Sequence, residues 1–445
     1  MGTDLAGEVA ELLQQMIRNA CVNDGTAQSG HEHRNAEVLR SVLEGPGLDL
    51  QVHEPLPGRS SLVARIEGRR TGAPSLALLG HTDVVPANGD DWRHDPFGGE
   101  LIDGEVWGRG AVDMLNLTSS MAVAFRHLAD DGFRPDGDLL FIGVADEEAL
   151  GIHGAEWLTA HVPDHVVTDY LLTEAGGFPM AAPDGVRLPV ITGEKGVFWC
   201  TLTIRGTPGH ASQPLRTDNA LVKAAQVVTR LAEFQPAADI HDAWRRFVEG
   251  IGLPPDITAP LLDPGAIGPF CDEFPALGLA RQAHACTHTT MAPTIMEAGT
   301  KVNVIPDRVR LEVDIRTLPG WDRAEVDAML DDALGELAAD VEVSWSFTDP
   351  ASTSPADTPL WHSLERVARR SYPDARCVPF LTVGATDARF FRRQGTVAYG
   401  AGLFSEHLTF EDYATMFHGI DERVDVASLG LSAQLFDGVA RDSLS

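Results

Sequence analysis

The stretch SLALLGHTD, residues 75–83, decides the fold: a short apolar run stops at a polar cluster that contains His81 and Asp83. The same form recurs at DLLFIGVADEE (138–148), at YLLTE (170–174) and at TVAYG (396–400). Continuous apolar runs of this length suit strands buried on both faces. Between them, residues 117–128 and 154–161 read as helices, so strand and helix alternate as in a layered α/β sheet.

Working outward, the texture changes near Lys195. FWCTLTIRG alternates like an antiparallel strand, residues 219–234 form a long helix, and VNVIPDRVRLEVDIR (302–316) alternates again. Residues 235–290, with LPPD, DPG and GPF turn signals, read as loop-rich. The α/β texture then resumes, with helices expected at 360–370 and from Asp421 onward. The simplest architecture is an α/β domain, residues 1–193 and 317–445, interrupted by an inserted strand-and-helix domain, residues 194–316. No internal repeat or low-complexity tract interrupts it.

A chain of 445 residues is long enough for two or three folding units. Lys plus Arg total 34 against 65 for Asp plus Glu, a net charge of -31 that repels phosphate backbones and argues against nucleic-acid binding. No apolar segment reaches the ~18–20 residues of a membrane span. The acidic, amphipathic N-terminus, MGTDLAGEVAELLQQMIRNA, lacks the basic and apolar regions of a secretion signal. Cys21, Cys200, Cys271, Cys286 and Cys377 are scattered and form no CxxC, which suits reduced thiols, so the expected location is cytoplasmic. Asn116-Leu117-Thr118 matches the glycosylation pattern by chance on that reading.

The chemistry lies at the strand ends. His81 and Asp83 follow the first apolar run, Glu147 and Glu148 the second, and Glu174 the third; a Gly-rich loop after the fourth leads to His418. In parallel α/β sheets ligands bind outside the carboxyl ends of the strands. Each residue has a plainer reading: a buried histidine, a solvated helix start, or, for Asp113 in the GRGAVD loop, a turn or capping residue. Their shared position in chain order outweighs those readings. Imidazoles and carboxylates without thiolate suit Zn²⁺, with Mn²⁺ or Co²⁺ as substitutes. Two His, two Glu and one Asp exceed the needs of one catalytic zinc and match two metals sharing a bridging carboxylate. The remaining carboxylate, Glu147, suits a general base. Residues two apart on a strand share a face, so Asp83 is expected to hold the far ring nitrogen of His81.

GHTDVVP (80–86), DWRHDPFGGELIDGEVWGRGAVDM (91–114), ADEE (145–148), LLTEAGG (171–177) and HGIDERV (418–424) together resemble the M20 family of metallopeptidases and aminoacylases. That family includes aminoacylase-1, glutamate carboxypeptidases and succinyl-diaminopimelate desuccinylases. The resemblance covers most of the chain in the right order and is weakest in the middle of the inserted domain. It implies a zinc-peptidase-like catalytic domain with a mixed, largely parallel sheet, interrupted by an α+β lid and dimerisation domain. It further implies that Asp113 bridges the metals, that His81 and Glu174 complete one site, and that Glu148 and His418 complete the other. Glu147 is then the base and Asp83 the support of His81. A related aminopeptidase family shares the ligand order but lacks the insertion, so the change near Lys195 favours M20.

Within the insertion, GTPGHAS (206–212) is similar to the lid's histidine motif. The resemblance implies a homodimer in which His210 reaches a partner's site and stabilises an oxyanion. Asn303 of NVIP and Arg316 of DIR match substrate-holding positions, Arg316 gripping a carboxylate through its planar fork. Taken alone, they read as a turn asparagine and a surface arginine. Leu115 and Asn116 depart from the family's usual Lys-Gly or Lys-Asp, and Val144-Ala145 from its Thr-Gly. His284 and His288, four apart with Thr-rich flanks and no carboxylate nearby, read as surface residues. The expected activity is cleavage of an amide next to a free carboxylate, in an N-acyl amino acid; the alternative is a carboxypeptidase or dipeptidase acting on short peptides. The acyl or side-chain pocket is expected at the lid, at residues 384–387 and at residues 400–402. A non-catalytic scaffold would have lost a ligand or the base, and neither is missing.

Overall fold

The computed structural model describes residues 5–45 and 48–445. The four apolar runs form strands Leu76–His81, Leu139–Val144, Tyr170–Thr173 and Val397–Gly400. They lie side by side and parallel at the centre of a ten-stranded sheet. Antiparallel strands flank them: Arg59–Ile66 pairs with Leu139–Val144, and Gly185–Glu194 meets Val397–Gly400. The sheet is therefore mixed, with its parallel part where the site residues emerge.

Helices Leu5–Arg18, Leu115–Asp130 and Val426–Ser443 pack together on one face around a core that includes Leu13, Phe125 and Phe436. The first four residues of the expected N-terminal helix lie outside the described residues. Gly80 lets helix Leu115–Asp130 approach closely: a Cβ there would stand 2.4 Å from Thr118 Oγ1. Thr118 in turn donates to the His81 carbonyl at 2.8 Å, fixing that strand end.

A second, four-stranded antiparallel sheet has the order Thr290–Ala298, Arg308–Thr317, Gly196–Arg205, Val341–Asp349. Helices Ala220–Glu233 and Arg323–Leu334 cover it with a separate apolar core. Two features depart from the expected boundaries of the insertion. Helix Arg323–Leu334 and the alternating run VEVSWSFTD at 341–349, which adds a strand, extend this unit beyond residue 316. The stretch 235–290 is largely helical, with helices Asp242–Ile251, Pro255–Leu261, Ile267–Glu273 and Leu277–Thr287. Those helices pack on the main sheet through Ile191, Val378 and Phe380. The prolines taken as turn signals partly begin helices, because a proline at the first helical position loses no hydrogen bond, as at Pro255. The helix expected from Asp421 begins at Val426, after the short strand Arg423–Asp425. Among the described residues no helix is long and apolar enough to cross a membrane.

Candidate metal centre

The strand ends converge. His81, Asp113 and Glu174 each offer a ligand atom within 4.8 Å of the others, and so do Asp113, Glu148 and His418. Asp113 is common to both groups. Its Oδ1 lies 3.1 Å from His81 Nε2 and its Oδ2 lies 2.9 Å from His418 Nε2. His418 Nε2 is also 3.2 Å from Glu148, and His81 Nε2 is 3.9 Å from Glu174. His81, Asp113 and Glu174 are buried, whereas the His418 side chain is about half exposed, giving the centre one open side.

The electrostatics follow from crowding acids where water is scarce. Burial, then the charge of Asp113, pushes Glu148 up to about 7. Burial and neighbouring carboxylates hold Glu147 and Glu174 well above their ordinary range. Hydrogen bonds to Asp113 and Glu148 raise His418 to about 10. Burial opposes charge on His81, yet Asp113 holds it well above its usual value. Burial likewise works against Asp113, but its two imidazole partners prevail and lower it. Glu148 Oε1 is buried with no hydrogen-bond partner. Bare carboxylates outnumber imidazoles here, with one orphaned oxygen and an all-nitrogen-and-oxygen donor set, and this fits two divalent cations.

The supports differ in part from the expected ones. His81 Nδ1 lies 3.0 Å from the Asp83 backbone carbonyl, while the Asp83 carboxylate stands 3.7 Å away. That carboxylate instead accepts from the backbone N–H groups of Glu147 and Glu148 and from Asn23 Nδ2. Asp83, two residues past the strand end, thus holds the acidic turn through its carboxylate and the imidazole through its carbonyl.

One support went unread in the sequence. Glu422 is fully buried and accepts from the backbone of Gly110, Val112 and Asp113 at 3.0, 2.6 and 3.0 Å. Arg109 pairs with it at 2.8 Å and also donates to the carbonyls of His418 and Gly419. The pair ties the Asp113 loop to the His418 turn, whose backbone is left-handed at His418 (φ 57°). The signal was an acid and an arginine inside two otherwise functional motifs. Asp387, in the loop expected to line the acyl or side-chain pocket, is buried, both its oxygens lack hydrogen-bond partners, and burial outweighs the pull of Arg389 to push it up to about 7. It follows strand Arg376–Thr382, so the strand-end pattern applied there too.

The expected substrate residues lie apart from this cluster. His210 is exposed on a two-residue strand paired with Val304–Ile305, and its Nδ1 lies 2.7 Å from Ser212 Oγ. Asn303 is exposed beside it, its carbonyl accepting from Ala211 N–H. Arg316 turns its guanidinium to Asp314, at 2.8 and 3.1 Å. Among the described residues no hydrogen bond or ion pair joins these three to the acidic centre. His288, expected at the surface, is buried and stacks on His284 with ring centroids 4.1 Å apart. Its carbonyl accepts from the buried Lys195 ammonium, which draws the helix end inward. Leu115 and Asn116 are buried at the start of their helix, so Asn116 is closed to glycosylation.

The model of peptidase family M20/M25/M40 matches residues 77–442. The N-fatty-acyl-amino acid synthase/hydrolase PM20D1 of Xenopus tropicalis is 27% identical, covering 99% of this chain and 88% of its own. The succinyl-diaminopimelate desuccinylase of Maricaulis maris is 29% identical, over 96% of this chain and 94% of its own. Among solved structures, an M20 family metallo-carboxypeptidase from Sulfolobus solfataricus superposes with a TM-score of 0.73 at 16% identity, covering 100% of this chain and 99% of its own.

Proposed function

The chain belongs to peptidase family M20/M25/M40 and is a metallo-hydrolase of amide or peptide bonds, and from that premise we propose that it cleaves N-acyl amino acids at a two-zinc centre. The observation that carries this reading is the pair of three-residue groups sharing buried Asp113. His81, Asp113 and Glu174 would hold one ion, and Asp113, Glu148 and His418 the other, with Co²⁺ or Mn²⁺ as substitutes. Bound there, the metals supply Lewis acidity toward the amide carbonyl and make water a nucleophile near neutral pH.

The chain's own residues do the rest. Glu147, beside both groups and held above its ordinary pKa, takes a proton from the attacking water and returns it to the leaving amine. Asp83 and the Glu422–Arg109 pair keep the ligand-bearing turns in register. Asn303 and Arg316 orient the substrate, Arg316 exchanging the Asp314 carboxylate for that of the substrate. His210 of the partner subunit donates to the oxyanion in a homodimer. Support for that dimer is the exposure of apolar side chains on the second sheet's unit: Val302 is 97% exposed, Leu215 84% and Ile295 59%.

We assign 1–193 and 350–445 to the catalytic part and 194–349 to the insertion, whose four-stranded sheet with helices Ala220–Glu233 and Arg323–Leu334 forms the lid while its helices of 242–287 pack on the main sheet. The names of the PM20D1 and desuccinylase relatives favour an N-acyl amino acid over a short peptide as substrate. The test is a hydrolysis panel on zinc-loaded protein, with and without chelator, read by mass spectrometry. N-acetyl, succinyl and long-chain N-acyl amino acids stand against dipeptides and C-terminal glutamate peptides. Chelator-sensitive release from the N-acyl group alone supports the reading, and release from peptides alone replaces it with a carboxypeptidase or dipeptidase.

A further inference from the structure

An apolar cavity of about 190 Å³ lies between the helices of residues 242–287 and the sheet strands Gly185–Glu194 and Arg376–Thr382. Trp244, Phe247 and Ala283 form its helical wall, and Phe178 and Phe410 its other end. Two of its few polar groups are paired. Trp244 Nε1 donates to the Leu261 carbonyl, and the Gln282 amide donates to Cys286 Sγ. No charged side chain lines it.

The cavity adjoins the acidic centre. Phe178 stands four residues after Glu174, and its ring lies 4.9 Å from Phe410 and 5.4 Å from Tyr413. Tyr413 is buried where the charges of Asp113 and Glu174 reach it, and its helix, Phe410–Met416, ends two residues before His418. One end of the cavity is therefore built from the segments that carry Glu174 and His418.

We propose that this cavity receives the hydrocarbon chain of the substrate's acyl group, and that the helices of residues 242–287 set the enzyme's chain-length preference. The proposal rests on the acylase reading above. A cavity with an almost wholly apolar lining and no charge rejects the carboxylate-bearing half of an N-acyl amino acid and accepts the uncharged half. An apolar cavity of about 150 Å³ holds a six-carbon benzene, so this one takes about seven or eight carbon atoms. That exceeds an acetyl or succinyl group and matches a medium-length unbranched chain.

The test measures kcat/KM on the zinc-loaded full chain for N-acyl amino acids from acetyl to dodecanoyl. Each buried methylene contributes about 0.8 kcal/mol, so the value is expected to rise roughly fourfold per methylene and level off near eight carbons. Ala283→Phe, which fills the cavity, and Leu279→Asp, which charges its half-exposed lining, are expected to lower the octanoyl-to-acetyl ratio at least tenfold. The ratio cancels the fraction of active protein, so a poorly folding variant still reports. Calorimetric titration of the metal-free protein with the uncharged probe octanol is the independent arm, with binding expected in the wild type and at least tenfold weaker in Ala283→Phe.

A flat chain-length profile with normal acetyl hydrolysis overturns the cavity assignment and leaves the acylase reading standing. A flat acyl profile with a steep dependence on the amino-acid side chain also overturns it. Octanol binding that Ala283→Phe abolishes, in a protein that hydrolyses no acyl substrate, refutes the acylase reading and overturns the acyl-chain assignment with it.

Discussion

Substituting Glu422→Gln tests how the centre is held. In the fold this carboxylate accepts three backbone N–H groups at 2.6–3.0 Å and pairs with Arg109 at 2.8 Å, all without solvent. A glutamine keeps the shape but loses the charge, and its NH₂ turns toward groups that are themselves donors. Breaking a buried ion pair by removing one partner costs about 3–5 kcal/mol, because the other charge is left uncompensated. The lost charge-assisted hydrogen bonds, about 1.5–3 kcal/mol each, overlap with that figure and do not add to it. Arg109 retains the carbonyls of His418 and Gly419, which places the expected loss nearer about 3 kcal/mol.

The assay is urea unfolding of chelator-treated protein, reading the midpoint shift at constant slope. Arg109→Met combined with Glu422→Gln is expected to recover part of the loss, since no buried charge then stands alone. Zinc affinity, measured by competition with a chromophoric chelator, is expected to fall about 10–100-fold in Glu422→Gln, as for other residues that orient ligands. A stability change below about 0.5 kcal/mol with unaltered zinc affinity would refute the view that this pair braces the centre.

Other expectations follow from the same geometry. Glu147→Gln should bind zinc normally yet lose roughly 10²–10⁴ in kcat, checked by metal analysis beside steady-state kinetics. Asp387, pushed up to about 7 by burial, keeps its proton in the folded chain after the unfolded chain has lost it. Its contribution to stability is thus full below the unfolded pKa and fades as pH rises through about 7. Denaturation of metal-free protein at pH 5.5 and 8 should show Asp387→Asn gaining on the wild type by up to a few kcal/mol at the higher pH; a pH-independent difference contradicts this. Mixing His210→Ala with Glu147→Gln should restore about a quarter of wild-type turnover if His210 acts across a two-fold dimer, and no recovery removes the role in trans.

Much of the centre was legible because a parallel sheet aligns its strand ends. His81, Glu148, Glu174 and His418 follow apolar runs that the sequence displays openly, and Asp113 lies in a loop of small residues. What stayed hidden depends on side-chain direction or on tertiary context. Asp83 occupies the expected position, but its carboxylate turns to the Glu147–Glu148 backbone and its carbonyl meets the imidazole. Glu422 looks like a surface acid until the fold closes over it. The helices of 242–287 were hidden by prolines that begin helices as readily as they break chains. His288 was misplaced because Lys195, ninety-three residues away, fixes its carbonyl in the interior.

The most direct test of the two-metal account is an anomalous difference map at the zinc edge from zinc-loaded crystals. The account predicts two peaks per chain flanking the Asp113 carboxylate, one beside His81 and Glu174 and the other beside Glu148 and His418. A single peak, or peaks that leave Asp113 outside the coordination of both ions, would contradict it.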